Sequence, residues 1–210
     1  VQIDFIADVV CPWCYLGWRR LEKALAMRPD VKANIVWRPY QLDPTLPEQG
    51  VDRKAYMAAK FPDPERRAAI GKILADAAAE DDIVLNLDAV AVSPNTNAAH
   101  RVIRWAQTAG LQEPVLEGVL SAYFTHGKDI GDPVVLADIA GAAGMDRLLV
   151  LKLLSEGADK DTITREHQMA HEAGVSGVPF MIFDGKLAVS GAEPPERLVK
   201  AIDKALEAAA

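Results

Sequence analysis

Cysteine is scarce: the chain of 210 residues has two, Cys11 and Cys14. So few thiols exclude a small secreted scaffold stapled by disulfides. With no second Cys-x-x-Cys, a closed zinc site would have to recruit from His100, His126, His167 and His171. His167 and His171 do have i, i+4 spacing, yet the expectation is no metal. Basic charge is also short. Thirty acidic residues stand against 23 Lys and Arg, a net charge of −7 with no basic block, so nucleic acid finds no electrostatic footprint. No apolar run approaches the length that spans a bilayer, which argues against a membrane partner. The chain opens in strand-like sequence without a basic or apolar leader, which predicts a cytoplasmic protein, although a leader removed earlier would leave the same picture. No fixed-period repeat exists, so a solenoid is excluded. What is present is ordinary for a globular chain with a real core: half the residues are hydrophobic and a quarter charged.

The two cysteines lie three apart, in Cys11-Pro12-Trp13-Cys14. Ahead of them Ile3-Asp4-Phe5-Ile6-Ala7-Asp8 reads as a strand. Behind them Cys14, Trp18, Leu21 and Leu25 form one stripe on a period near 3.6, which reads as a helix. Both thiols therefore sit at the first turn of a helix leaving a strand. Unpaired N–H groups and the positive end of the helix dipole favour a thiolate there. Pro12 fits the first turn, where its missing N–H costs no hydrogen bond. Two intervening residues let the side chains meet in a disulfide. A Cys-x-x-Cys beside a β–α pattern is a thioredoxin-like redox signature. The competing reading is a pair of buried structural thiols.

Residues 33–37 predict a second strand, parallel to the first across a right-handed βαβ crossover. Pro39, Pro44 and Pro47 then carry the chain out of the sheet. From about residue 52 to 174 the sequence is Ala-rich with helical period. Helix starts are expected at Asp63-Pro64, with a stripe of Ile70, Ile73, Leu74 and Ala77, at Asp132-Pro133 and at Asp146. Ile83-Val84-Leu85 is a short apolar piece of undecided type. Phe180-Met181-Ile182-Phe183 and Leu187-Ala188-Val189 flank the turn signal Asp184-Gly185, a hairpin, and a closing helix carries Leu198, Ile202 and Leu206. The order β-α-β, helical block, β-β-α predicts one sheet domain, residues 1–48 and 175–210, carrying an inserted helical domain, residues 49–174.

Gly177-Val178-Pro179-Phe180 has two readings. One is an ordinary edge-strand or loop proline. The other is a cis Val178–Pro179 bond that turns the Val178 backbone toward an extended substrate beside the dithiol.

Val10-Cys11-Pro12-Trp13-Cys14-Tyr15-Leu16-Gly17, Gly174-Val175-Ser176-Gly177-Val178-Pro179-Phe180 and Val189-Ser190-Gly191-Ala192 together resemble the DsbA-like oxidoreductases. The match is closest to the FrnE-like branch of the thioredoxin superfamily. Trp37-Arg38-Pro39-Tyr40-Gln41-Leu42-Asp43-Pro44 and Asp129-Ile130-Gly131-Asp132 extend the resemblance over essentially the whole chain. It implies an α/β protein, a thioredoxin fold with a large all-helical domain inserted between its βαβ and ββα halves. It implies that Cys11 is the exposed nucleophile, that Cys14 resolves the mixed disulfide, and that Val178 and Pro179 flank them as substrate-binding residues. Pro12 and Trp13 join that substrate-binding set. Trp13 stands where DsbA proper usually has a histidine, so Cys11 is expected to be less acidic than in DsbA and Trp13 to offer an apolar contact.

The activity expected is thiol–disulfide exchange with a protein or small-molecule disulfide or thiol, in either direction. It needs no cofactor beyond the redox-active disulfide, and glutathione is the candidate co-substrate. Asp8 is a candidate proton acceptor for Cys14, against the favoured reading of a solvated or capping strand-end residue. Asn95, Asn97 and His100 are candidates for substrate contact, against helix capping and surface duty. Two rival functions remain. The 2-hydroxychromene-2-carboxylate isomerases and kappa-class glutathione transferases resemble the chain in organisation but generally place serine at the first position, where Cys11 stands. A redox-inactive chaperone-like module would instead use the helical block as an apolar clamp. A homodimer fits so helical a surface.

Overall fold

Ile3 and Phe5, both fully buried, anchor the central strand β1 (Gln2–Ala7) of a computed structural model that describes residues 1–208. β1 pairs in parallel with β2 (Asn34–Pro39), from Gln2 opposite Asn34 to Ala7 opposite Pro39. On its other side it pairs antiparallel with β5 (Phe180–Phe183), which pairs antiparallel with β6 (Leu187–Ser190). The sheet order is β2-β1-β5-β6. The three-residue turn between β5 and β6, Asp184 to Lys186, has positive φ at both Asp184 (48°) and Gly185 (67°), a backbone that an Asp-Gly pair tolerates.

Strand alternation sorts the side chains by face. Phe5 stacks on Trp37 at 5.4 Å and meets Trp18 edge-on at 5.6 Å, Trp18 coming from helix α1 (Pro12–Ala26). Such aromatic pairs add about 0.5–1.5 kcal/mol each beyond burial. Of the expected α1 stripe, Cys14, Trp18 and Leu21 are buried and Leu25 half-buried. The opposite alternation puts Ile6 and Tyr40 in a second apolar cluster with Val175, Val178, Phe180 and Ile182.

The chain divides into two compact units, residues 1–40 with the chain from 165 onward, and residues 41–164. The first unit holds the four-stranded sheet, α1 and the closing helix (Pro195–Glu207), which buries Leu198, Ala201, Ile202 and Ala205. This is the thioredoxin-like arrangement, mixed α/β with a separate helical unit.

The second unit is built from helices Arg53–Lys60, Pro64–Glu80, Asn97–Thr108, Gln112–Phe124, Pro133–Ala142 and Arg147–Ser155, while helix Lys160–Glu172 crosses the division. Asp63, Asp132 and Asp146 cap their helices through side-chain oxygens that accept from first-turn N–H groups, as their spacing predicts. Gly118 lets helix Gln112–Phe124 approach Ile139, because a Cβ there would lie 2.6 Å from the Ile139 Cγ2. Helix Arg53–Lys60 was not anticipated, having no buried residue to mark a face. Ile83-Val84-Leu85, the piece of undecided type, is irregular chain, and a two-residue antiparallel ladder pairs β3 (Val51–Asp52) with β4 (Val92–Ser93). In helix Pro64–Glu80 only Leu74 and Ala78 are buried, while Ile73 is 60% exposed.

Candidate active site

Cys11 is the N-cap residue of α1, with extended backbone (φ −89°, ψ 112°). Its carbonyl accepts from the Cys14 N–H at 2.9 Å and the Tyr15 N–H at 3.2 Å, and its own N–H donates to the Asp8 carbonyl at 3.1 Å. The strand end is thereby folded directly into the first helical turn. Pro12 at the first helical position gives up no intrahelical bond. Both cysteines are free thiols. Cys11 is 5% exposed, which corrects the expectation of an exposed nucleophile, because the Val178–Pro179 segment covers it, and Cys14 is fully buried. Pro12 and Trp13 between them are half-buried.

Facing Cys11 is the segment ahead of β5. The Val178–Pro179 bond is cis, which distinguishes it from an ordinary edge-strand proline. The Cys11 thiol points at the Val178 carbonyl oxygen, 3.8 Å away, the range of a weak sulfur hydrogen bond. Val178 is half-buried and Pro179 buried. Three contacts that sequence reasoning missed hold this segment against α1. Gly17 leaves room for the Pro179 ring, since a Cβ there would lie 2.8 Å from Pro179 Cγ. The Gly191 N–H donates to the Pro179 carbonyl at 2.8 Å. Arg20 on α1 donates to the Ala192 carbonyl at 2.7 Å. Gly17, Pro179, Gly191 and Ala192 lie in the motifs quoted above, whereas Arg20 gave no signal.

Burial pushes the Cys14 thiol well above the ordinary thiol range, and its hydrogen bond to Cys11, the charge of Cys11 and the charge of Asp8 push the same way. A backbone hydrogen bond at Asp8 opposes them. Cys14 therefore keeps its proton at neutral pH. The folded state holds that proton more tightly than the unfolded chain does. The stability so contributed is complete below the unfolded thiol's pKa, about 8.5, and is lost as pH rises through the folded value. Thermal melts of the reduced protein should show a midpoint that falls above about pH 8.5, and Cys14→Ala should flatten that fall. An equal alkaline fall in the variant would assign it to other groups.

Asp8 corrects the reading favoured from sequence. It is 1% exposed, and the α1 N-terminus has no side-chain cap, so it is neither solvated nor a capping residue. Tyr40, buried beside it, has its hydroxyl pKa raised by burial and by the Asp8 charge. In the second unit, Asn95 accepts from Gln41 and from the Asn97 N–H, each at 3.0 Å, and donates to the Leu46 carbonyl at 2.7 Å. Asn97 donates to the Lys160 carbonyl at 3.1 Å, and His100 is 1% exposed. These polar groups organise the start of helix Asn97–Thr108. Among the described residues no three His, Cys, Asp or Glu side chains gather as a metal site, and no helix is long and apolar enough to cross a membrane.

Comparison with known proteins agrees with this geometry. The chain is 25% identical over 203 residues to the uncharacterized protein YwbO of Bacillus subtilis (strain 168), covering 96% of each. The probable DsbA oxidoreductase SCO1869 of Streptomyces coelicolor superposes with a TM-score of 0.87 at 27% identity, over 98% of this chain and 90% of that one. A 2-hydroxychromene-2-carboxylate isomerase shares the fold, with a TM-score of 0.69 at 20% identity over 100% of this chain and 98% of that one. A profile of the DSBA-like thioredoxin domain matches residues 2–203, nearly the whole length, and the chain belongs to that family.

Proposed function

We propose that the protein is a thiol–disulfide oxidoreductase working through Cys11 and Cys14. The observation that carries this reading is the shared position of the two thiols: Cys14 follows Cys11 in the first turn of α1, its N–H donating to the Cys11 carbonyl at 2.9 Å, and the Cys11 thiol faces the Val178 carbonyl. The Cys11 thiolate attacks one sulfur of a substrate disulfide, and the other substrate sulfur leaves as a thiolate. Cys14 then gives up its proton, with Asp8 as the nearest buried carboxylate acceptor, and attacks the Cys11 sulfur. The second substrate thiolate departs. The substrate gains two electrons, and the dithiol becomes a disulfide.

Pro12, Trp13, Val178 and Pro179 border the reacting sulfur as the substrate-binding set. The half-buried Trp13 offers an apolar surface, and the Val178 backbone offers a polar edge to an extended thiol such as glutathione or a peptide. Reversal of the same steps would oxidise a dithiol. Direction follows the reduction potential, which spans about −270 to −120 mV among related thiol enzymes, and in a cytosolic setting reduction or isomerisation is the downhill course.

The test is titration against a glutathione redox buffer, followed by tryptophan fluorescence. Trp18 lies one helical turn beyond Cys14, within the Phe5–Trp37 cluster. A single two-electron transition, absent in Cys14→Ser, is expected. Stable glutathione binding without Cys11–Cys14 closure would overturn the exchange mechanism and favour a glutathione-dependent transferase or isomerase.

A further inference from the structure

The exchange leaves one proton to be moved, since Cys14 is fully buried and must lose its proton each time it attacks. Asp8 beside it is also buried, at 1% exposure, and cannot hand a proton to bulk water directly. What adjoins Asp8 is set by the sheet. Ala7 and Pro39 are the last paired residues of β1 and β2, and the Tyr40 N–H donates to the Ala7 carbonyl at 3.0 Å. Asp8 and Tyr40 are thus the next register partners at the end of the sheet, where neighbours in parallel strands share a face.

Tyr40, 4% exposed, carries two imidazoles on its ring. His167 meets it edge-on at 5.0 Å and His171 lies tilted against it at 4.8 Å, with the two imidazoles 4.7 Å apart. They stand one turn apart on one face of helix Lys160–Glu172. His167 is 8% exposed, whereas His171 is open to solvent. Burial falls away along the series Asp8, Tyr40, His167, His171. The chemistry suits transfer at each place. A neutral phenol both donates and accepts, and burial with the Asp8 charge keeps Tyr40 in that form. An imidazole takes a proton on one ring nitrogen and releases one from the other.

We propose that Tyr40, His167 and His171 are the route by which the Cys14 proton, received by Asp8, reaches solvent, and by which it returns when the disulfide is reduced. The inference rests on the exchange reading above. No electron moves along this route. Sulfur–sulfur bond exchange occurs at Cys11 and Cys14, while one proton passes from the Cys14 thiol to water.

The test mixes reduced protein with increasing oxidised glutathione in a stopped-flow instrument. The slope at low concentration reports attack by Cys11, and the plateau reports closure by Cys14. In Tyr40→Phe and His167→Gln the plateau should drop by roughly tenfold or more while the slope holds, within the range that positioned acid–base groups contribute. In His171→Ala, at an exposed site where misfolding is not at issue, the plateau should drop and recover with added imidazole. An unchanged plateau in all three variants would overturn the route. So would a joint loss of slope and plateau without imidazole recovery, which marks a structural role only. If the wild type shows no closure at all, the exchange reading itself fails, an outcome distinct from a wild type that closes with its variants unaffected.

Discussion

Cys11→Ser should abolish disulfide exchange outright, and Cys14→Ser should freeze it halfway. A serine hydroxyl cannot form the sulfur–sulfur bond on which the proposed cycle depends, so the first variant has no chemistry to perform. The second keeps the Cys11 thiol at the N-cap of α1, opposite the Val178 carbonyl. It should still attack a disulfide and then hold the product. Closure by Cys14 is intramolecular, and well-oriented groups of that kind act at effective concentrations of about 10⁵–10⁸ M. No millimolar external thiol replaces that, so release should slow by orders of magnitude.

Intact-protein mass spectrometry after exposure to oxidised glutathione separates the three cases. The wild type should lose two hydrogen atoms as Cys11 and Cys14 close, with oxidised glutathione reduced to two thiols. Cys14→Ser should gain one glutathione and keep it, and Cys11→Ser should stay unmodified. A glutathione adduct on Cys11→Ser would reverse the assigned roles of the two thiols. Wild-type binding of unfolded clients by both variants, with no exchange by the native protein, would instead favour a redox-inactive binding module.

Part of this site was readable from sequence because its determinants are local. Cys11 through Cys14 needed only a strand before them and a helical stripe behind. Asp184-Gly185 needed only its own permissive φ values. The aspartates at the helix starts needed only the next turn of chain. What stayed hidden depends on contacts between distant segments. Asp8, Tyr40 and His167 are brought together by strand register and by one helix face, and no spacing among positions 8, 40 and 167 announces it. The favoured reading of Asp8 failed for that reason: a residue after a strand is solvated unless something covers it, and here it is covered. The isomer of Val178–Pro179 is likewise undetermined by neighbours in sequence, which allow either form. Helical period had a different weakness. Ile70 and Ile73 form a stripe with Leu74, yet only Leu74 is packed, because periodicity gives a helix an apolar face without supplying its partner.

Gly17 is the distant contact with the largest expected consequence after the thiols themselves. In most helix interiors Gly→Ala is favourable by about 0.5–1 kcal/mol, because it restricts the unfolded chain. Here the new Cβ would meet Pro179 Cγ at 2.8 Å, with Phe5 Cζ behind it at 3.6 Å. Overpacking of this kind costs about 1–3 kcal/mol, so Gly17→Ala should come out near neutral to mildly destabilising. Gly17→Val adds two more methyl groups in the same gap, on a β-branched side chain with little rotamer freedom. The Pro179 ring cannot simply retreat, because its carbonyl is held by the Gly191 N–H and its neighbouring loop by Arg20. Strain should therefore move Val178 away from the Cys11 sulfur. The expected result is a graded loss, small for alanine and about tenfold or more for valine, in the rate of mixed-disulfide formation, at a contact where 1.4 kcal/mol already corresponds to about tenfold. The loss should appear at the first step, Cys11 attack, and leave the closure plateau of the stopped-flow experiment little changed. A valine variant that melts lower yet attacks at the wild-type rate would show that the Val178 carbonyl does not help orient substrate at Cys11.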